Sequence, residues 1–274
     1  MKAEISICIP TFNNLDALAR LIDSILYQSF CHYEIIITDD SSNFDIQEYI
    51  QSLKNSKIKY FKNKVRLGSP ENWNEAMRNC NSEYIKIMHH DDWFTQKDSL
   101  SLFVKMLDDN SNSNIAFSCS SAINSMNQLI YLNAPSQVLI NEIEKFPYAL
   151  LDGNIIGAPS ACIFRKSKPL ILFDHNLKWL VDIEFYARII EKSKSKIIYY
   201  NQNLISIGIS VNQITEECKN DKFIWINEIL YLYDKWKIKY IDNGPLKNNL
   251  IFIINNFKIN SFSDFKNNAQ KNKK

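Results

Sequence analysis

Over the first hundred residues, short apolar runs alternate with stretches whose apolar positions recur every three or four residues. Ile5-Ser6-Ile7-Cys8-Ile9 is β-branched and meets Pro10, which predicts a strand stopped by that proline. After Thr11-Phe12-Asn13-Asn14, the positions Leu15, Leu18, Leu21, Ile22, Ile25 and Leu26 share one helical face, with Asn13 or Asn14 as cap. The pattern then repeats. Residues 33–38 predict a strand, Ile46, Tyr49, Ile50 and Leu53 a helix, and residues 58–61 a third strand. Ser69 followed by Pro70 reads as the start of a helix reaching Cys80, and Tyr84-Ile85-Lys86-Ile87 as a buried fourth strand. Four strands alternating with helices imply an α/β fold with a mostly parallel sheet and right-handed crossovers.

Farther along, Leu100, Phe103, Val104 and Leu107 mark a helix face and residues 115–119 a strand. Residues 124–136 read as a linker around a short strand at 129–132. Residues 150–160, with two glycines and a proline, form a polar loop before a strand at 161–165. From Trp179 a helix follows with Ile183, Ala187 and Ile190 inward, then late strands at 197–200 and 204–207. Phe223, Ile226, Ile229, Leu230, Tyr233 and Trp236 recur at helical spacing, and residues 250–257 form a second apolar stretch after Gly244-Pro245.

Composition narrows the class. At 274 residues and 46% hydrophobic, the chain can bury a large core, as one α/β domain or a domain with an appendage. Six scattered cysteines without a Cys-x-x-Cys pair predict reduced core thiols, neither a disulfide framework nor a zinc knuckle. The start, Met1-Lys2-Ala3-Glu4-Ile5, does not read as a secretory signal, no segment is long enough to span a bilayer, and the cytoplasm is the default compartment. The net charge of +2 divides unevenly: from Lys235 onward nine lysines face two aspartates, giving +7 there and −5 elsewhere. That balance does not suit duplex nucleic acid. A basic tail beside apolar helices suggests peripheral contact with an anionic membrane face, or simply a solvated end. The apolar helical stripe fits core packing or a homo-oligomer contact.

Candidate chemistry gathers at strand ends. Pro10-Thr11, Asp39-Asp40 and His89-His90-Asp91-Asp92 would all lie at carboxyl ends of parallel strands, on the edge where open α/β sheets bind ligands. Adjacent carboxylates need a cation or hydrogen-bond donors; a solvated Asp-Asp turn capping the next helix is the plain alternative. With only five glycines, neither Gly-x-Gly-x-x-Gly nor a Walker-type loop can be drawn, which disfavours Rossmann dehydrogenases and P-loop enzymes. A pyrophosphate bound without a glycine cradle calls for a divalent ion, and oxygen ligands favour Mg or Mn over Zn.

These residues carry a family resemblance. Ile7 through Asn14, Ile35 through Ser42, Gly68 through Asn74 and His89-His90-Asp91-Asp92 resemble, in order and spacing, the successive signatures of family 2 inverting glycosyltransferases with a GT-A fold. The resemblance implies a nucleotide-sugar half at 1–123, an acceptor half at 124–215 and a helical extension with a basic tail at 216–274. It implies a nucleotide-diphospho-sugar donor, a UDP-sugar by analogy, and a glycan or lipid-linked acceptor at the inner face of a membrane. By the same analogy Pro10, Thr11 and Asn13 lie against base and ribose, Asp39 bonds the base, and Arg66 lies near the nucleotide. Asn72, His89, His90 and Asp91 complete the donor contacts, with Asp40 and Asp92 beside them and Asp91 the ligand to Mn or Mg.

Two departures qualify it. The family's Asp-x-Asp-Asp begins here with His89, and a neutral imidazole supplies less charge to a cation. Ser210 stands where a histidine sometimes precedes the loop at 211–215. On the acceptor side, the stretch from Trp179 resembles the second acidic motif, with Val181 in place of Glu and Asp182 at the base position. Glu184 shares that first helical turn, where acids favour the helix dipole in any case. A nucleotidyltransferase and a non-catalytic nucleotide- or sugar-binding module remain the competing readings.

Overall fold

The structure, a computed structural model, describes residues 3–193, 196–209, 218, 221–237 and 255–256. The first half runs β1 (Ile5–Thr11), α1 (Leu15–Leu26), β2 (Tyr33–Asp39), α2 (Asp45–Leu53), β3 (Ile58–Lys62), α3 (Glu71–Arg78), β4 (Tyr84–Ile87), β5 (Trp93–Phe94) and α4 (Ser99–Asp108). The second runs β6 (Ile115–Asn124), β7 (Leu129–Asn133), α5 (Gln137–Lys145), β8 (Cys162–Arg165), α6 (Val181–Ser193), β9 (Ile198–Ile209) and α7 (Lys222–Lys235). Two 3-10 turns, Pro147–Leu151 and Pro159–Ala161, precede β8.

All nine strands join one sheet in the order β3-β2-β1-β4-β8-β6-β9-β5, with β7 added alongside β6. β1 to β4 are mutually parallel; β8 enters antiparallel between β4 and β6. Because strand side chains alternate, the sheet feeds two cores. Ile35 and Ile37 pack with α1 and α4, while Ile36 and Cys8 pack with α3, α5, α6 and α7. α7 buries Ile226, Ile229, Leu232 and Tyr233 in that second core.

Several boundaries differ from the sequence reading. Pro10 does not stop β1, which continues to Thr11. β4 pairs only with residues 5–8 of β1, so Pro10 has a strand neighbour on one side alone and its missing N–H costs no ladder bond there. α3 begins at Glu71, with Pro70 itself at the cap after a cis peptide bond, and ends at Arg78. The two late strands are one, β9, bent where its register with β6 shifts near Cys119. α5 has no counterpart in the sequence reading; Ser136 caps it through Leu139 N, and its apolar Ile140 and Ile143 are buried.

None of the six cysteines is in a disulfide; five are buried and Cys31 is exposed. No helix among the described residues is long and apolar enough to cross a membrane. The loop at 211–215, the apolar stretch at 250–257 apart from residues 255–256, and the basic tail lie outside the described residues.

Candidate active site

The carboxyl ends of β1, β2 and β4 lie on one edge, and short-range polar contacts lock their loops together. Asn13 adopts a left-handed φ of 46°, its N–H donates to Ser41 Oγ (2.8 Å), and its Oδ1 accepts from Ser42 N (3.0 Å). Asp40 accepts from Asn63 Nδ2 (2.7 Å), Leu67 N (3.0 Å) and Gly68 N (2.7 Å), folding the loop after β3 over the edge. Asn72 donates to Thr38 O (3.2 Å) and Thr11 O (3.4 Å) and accepts from Asn63 Nδ2 (2.9 Å), stapling three segments. Pro10 and Thr11 are buried in β1, and Thr11 Oγ1 has no hydrogen-bond partner among the described residues. At the rim the Arg66 guanidinium stacks over Phe12 at 4.0 Å.

Asp39 differs from the expectation that it faces a base. It is fully buried; Oδ1 accepts from Ser41 N (2.7 Å), and Oδ2 from Tyr60 Oη (2.6 Å) and Lys62 Nζ (3.1 Å). β3 supplies the counter-charge, so in this conformation Asp39 holds the edge together from inside.

The turn after β4 is supported from three sides. Ser160, in the 3-10 turn before β8, accepts from His89 N through Oγ (2.9 Å), and its carbonyl accepts from Lys86 Nζ. Asp92 is buried and accepts from Gly208 N (3.1 Å). Arg20 donates to Asp91 O (2.9 Å) while stacking on Trp93 at 3.9 Å, so the half-buried Trp93 braces the turn from its flank. His89 packs against Trp73 (4.6 Å), and its Nε2 is enclosed without a partner although 23% of the side chain is exposed. Burial pushes its pKa down to about 4, so the ring is neutral. Burial, with the Asp91 charge beside it, pushes the Asp92 carboxyl up, and burial pushes Lys86 down to about 7. His90 and Asp91 are half-buried.

This turn can serve a cation only in part. Among the described residues His89 Nε2 and Asp92 Oδ2 are enclosed atoms with no hydrogen-bond partner of ordinary geometry, Oδ2 lying 4.0 Å from His89 Nδ1, a pair that a ligand could complete. Yet no group of three or more His, Cys, Asp or Glu side chains gathers among the described residues. Such a turn fits an ion that takes one or two carboxylates from the protein and its remaining ligands from phosphate and water, as Mg typically does.

At the start of α6, the two acids have opposite surroundings. Glu184 is fully buried, bonded by Arg188 Nε and Nη2 (both 2.8 Å) and by Lys235 Nζ (2.8 Å) from α7. Asp182 Oδ1 is enclosed with no partner, and burial pushes its pKa up to about 7. Burial pushes up the Cys162 thiol at the start of β8, and the Asp182 charge adds to this, so Asp182 lies in the neighbourhood of β8. Trp179 lies just before α6, its N–H donating to Glu228 (3.0 and 3.2 Å) with those of Lys178 and Leu180 (2.7 Å each). Sequence reasoning missed Ser160, Gly208, Arg20 and Lys86. The lysine inside an apolar strand was the one legible signal, since a buried cation needs a nearby anion or acceptor. A cleft of about 290 Å³ lies elsewhere, lined by Ile85, Phe164 and Arg188 among others, and neither the turn at 89–92 nor Asp182 lines it.

The model of glycosyl transferase family 2 matches residues 6–168. The chain belongs to this family. An uncharacterised glycosyltransferase of Rickettsia typhi is 27% identical over 208 residues, 73% of this chain and 62% of that protein. A UDP-Glc:alpha-D-GlcNAc-diphosphoundecaprenol beta-1,3-glucosyltransferase of Escherichia coli is 35% identical over 94 residues, 34% of this chain and 38% of its own length. The chain therefore spans under two thirds of these relatives. Among solved structures, Staphylococcus aureus TarS residues 1–349 in complex with UDP-GlcNAc matches with a TM-score of 0.64 and 17% identity, over 96% of this chain and 74% of that one. A mannosyltransferase of Pyrobaculum calidifontis in complex with GDP-Man and Mn2+ matches with a TM-score of 0.60 and 13% identity, over 92% and 70%. The family 2 chain has the mixed α/β GT-A fold of these neighbours.

Proposed function

We propose that this family 2 member is an inverting glycosyltransferase that moves a sugar from a nucleotide-diphospho-sugar, most simply a UDP-sugar, to a hydroxyl of a glycan or lipid-linked acceptor. The carrying observation is Asp182, a half-buried side chain whose Oδ1 is enclosed without a partner among the described residues and whose pKa burial raises to about 7. A general base works best when its pKa lies near the working pH. Asp182 takes the acceptor proton as that oxygen attacks the anomeric carbon; the carbon–oxygen bond to the diphosphate breaks on the opposite face, and nucleoside diphosphate leaves. The nucleotide sits over the edge formed by Pro10, Thr11, Asn13 and Asn72, with Arg66 at the rim. Asp91, flanked by His89 and His90, is the residue that would hold Mn or Mg. A bound ion supplies positive charge at the leaving diphosphate.

Support for the donor class comes from the UDP-GlcNAc and GDP-Man complexes of the fold neighbours, and for a lipid-linked acceptor from the E. coli relative. Such an acceptor would place the chain at the cytoplasmic face of a membrane. The deciding experiment incubates the chain with a panel of nucleotide sugars and acceptors and follows nucleoside diphosphate release. Release that requires an acceptor supports the transferase, pyrophosphate release with a nucleotidyl product supports a nucleotidyltransferase, and binding without turnover supports a binding module.

A further inference from the structure

The hairpin of β6 and β7 is the most apolar exposed surface among the described residues. Leu129 (61%), Ile130 (54%), Tyr131 (56%) and Leu132 (54%) are all exposed, with Met126 (70%) at the tip and Val138 (75%) nearby at the start of α5. Consecutive strand residues point to opposite faces, so both faces of β7 are bare. No Asp, Glu, Lys, Arg or His occurs anywhere in residues 110–141.

The tip satisfies part of its own backbone. Asn124 Oδ1 accepts from Met126 N (3.0 Å) and Gln128 N (2.9 Å), Asn124 O accepts from Asn127 N (3.0 Å), and Gln128 O accepts from Asn124 N (3.1 Å). A turn entering a medium with little water needs this, because unsatisfied backbone groups are costly there.

The base of the hairpin touches the acceptor side of the site. Asn133 Nδ2 donates to Ile155 O (3.1 Å), and Tyr186, one helical turn after Asp182, donates to Gly157 O (3.0 Å).

Pairing of β7 with a second copy would fill its free edge but leave both apolar faces in water. Immersion covers both faces at once. An aromatic such as Tyr131 suits the boundary between lipid and water, and a charge-free segment gains nothing from anionic lipid.

We propose that the β6–β7 hairpin seats this chain in the interfacial layer of a lipid bilayer, through apolar contact that does not depend on lipid charge. That the lipid delivers the acceptor beside Asp182 rests on the glycosyltransferase reading; the seating does not.

The test uses the full chain and phosphatidylcholine vesicles in a flotation assay at low and high salt. Wild type is expected to float with them in both. Ile130→Ser with Leu132→Ser should lower partitioning by more than about tenfold. The milder Met126→Ser should lower it less and covers the case in which the double variant misfolds. The proposal is overturned if wild type stays unbound, if it binds only anionic vesicles and is released by salt, or if the variants bind as wild type does. A dimer seen by light scattering and lost in the variants would equally overturn it, by assigning the surface to a second copy. Diphosphate release with a water-soluble acceptor is measured in the same proteins and should be unchanged. Its absence in every form would sink the transferase reading and leave the partitioning result standing.

Discussion

Gly208 in β9 lies directly against the Asp91 carbonyl: a Cβ at this glycine would come within 2.3 Å of that oxygen. The neighbour is backbone, so it can yield only by moving the turn that carries His89, His90 and Asp91. Gly208→Ala should therefore cut turnover by roughly a hundredfold through misplacement of the turn. Kinetics with saturating and limiting donor check this, and a fully active Gly208→Ala would show that β9 does not set the turn's position.

Asp91→Asn isolates the ion. The carboxylate stands on a half-buried turn whose backbone is held by Arg20, so the substitution should spare the fold. Thermal shift with nucleoside diphosphate, with and without Mn, should show a Mn-dependent rise for wild type and none for the variant. Equal Mn-dependent rises in both proteins would remove Asp91 as ligand.

The strand-loop-helix rhythm, the parallel strands and the polar edge were legible because local periodicity specifies them. Ile36 lies inside β2 and Asp91 just beyond β4, where the pattern of the first hundred residues puts them. What stayed hidden depends on pairing between distant segments. Nothing near Ser160 says that it will bond His89 N, 71 positions away. Nothing near Asp39 announces Tyr60 and Lys62, whose register with β2 turns a candidate ligand-facing acid into an internal brace. The fusion of two late strands into β9 was obscured by the polar residues Asn201, Gln202 and Asn203 at its bend.

Glu184→Gln should act on stability. Its carboxylate is fully buried, but Arg188 and Lys235 are partly exposed and Lys235 also bonds Asp174, so the change weakens a charge-assisted bridge between α6 and α7 without stranding a buried cation. Losing such bonds costs roughly 1–3 kcal/mol. A fall in melting temperature with donor affinity retained in the folded fraction is expected. Unchanged melting with dead chemistry would transfer the base role to Glu184.

Asp182→Asn should do the reverse. Asparagine keeps the shape and cannot accept the acceptor's proton, so turnover should fall roughly a hundredfold to ten-thousandfold while donor binding is spared. In wild type the rate should rise with pH through about 7, because only the ionised carboxylate is a base; the residual rate of the variant should lack that step. Stability carries an independent sign. Burial raises the folded pKa from 3.8 to about 7, so between these values the folded state binds more protons than the unfolded one, and stability falls as pH rises across that window. The loss is complete above 7, where ionised Asp182 keeps Oδ1 enclosed without a partner among the described residues. Asp182→Asn removes that charge and should raise stability above pH 7 by roughly 1–4 kcal/mol, with little difference from wild type below pH 4. Denaturant titrations of both proteins at acid and alkaline pH measure this directly. A variant that is slower yet more stable at alkaline pH is the signature of a group held in the site against its own solvation. A variant equally stable at every pH would mean that Asp182 ionises freely, and the argument for it as the base would fail with its pKa.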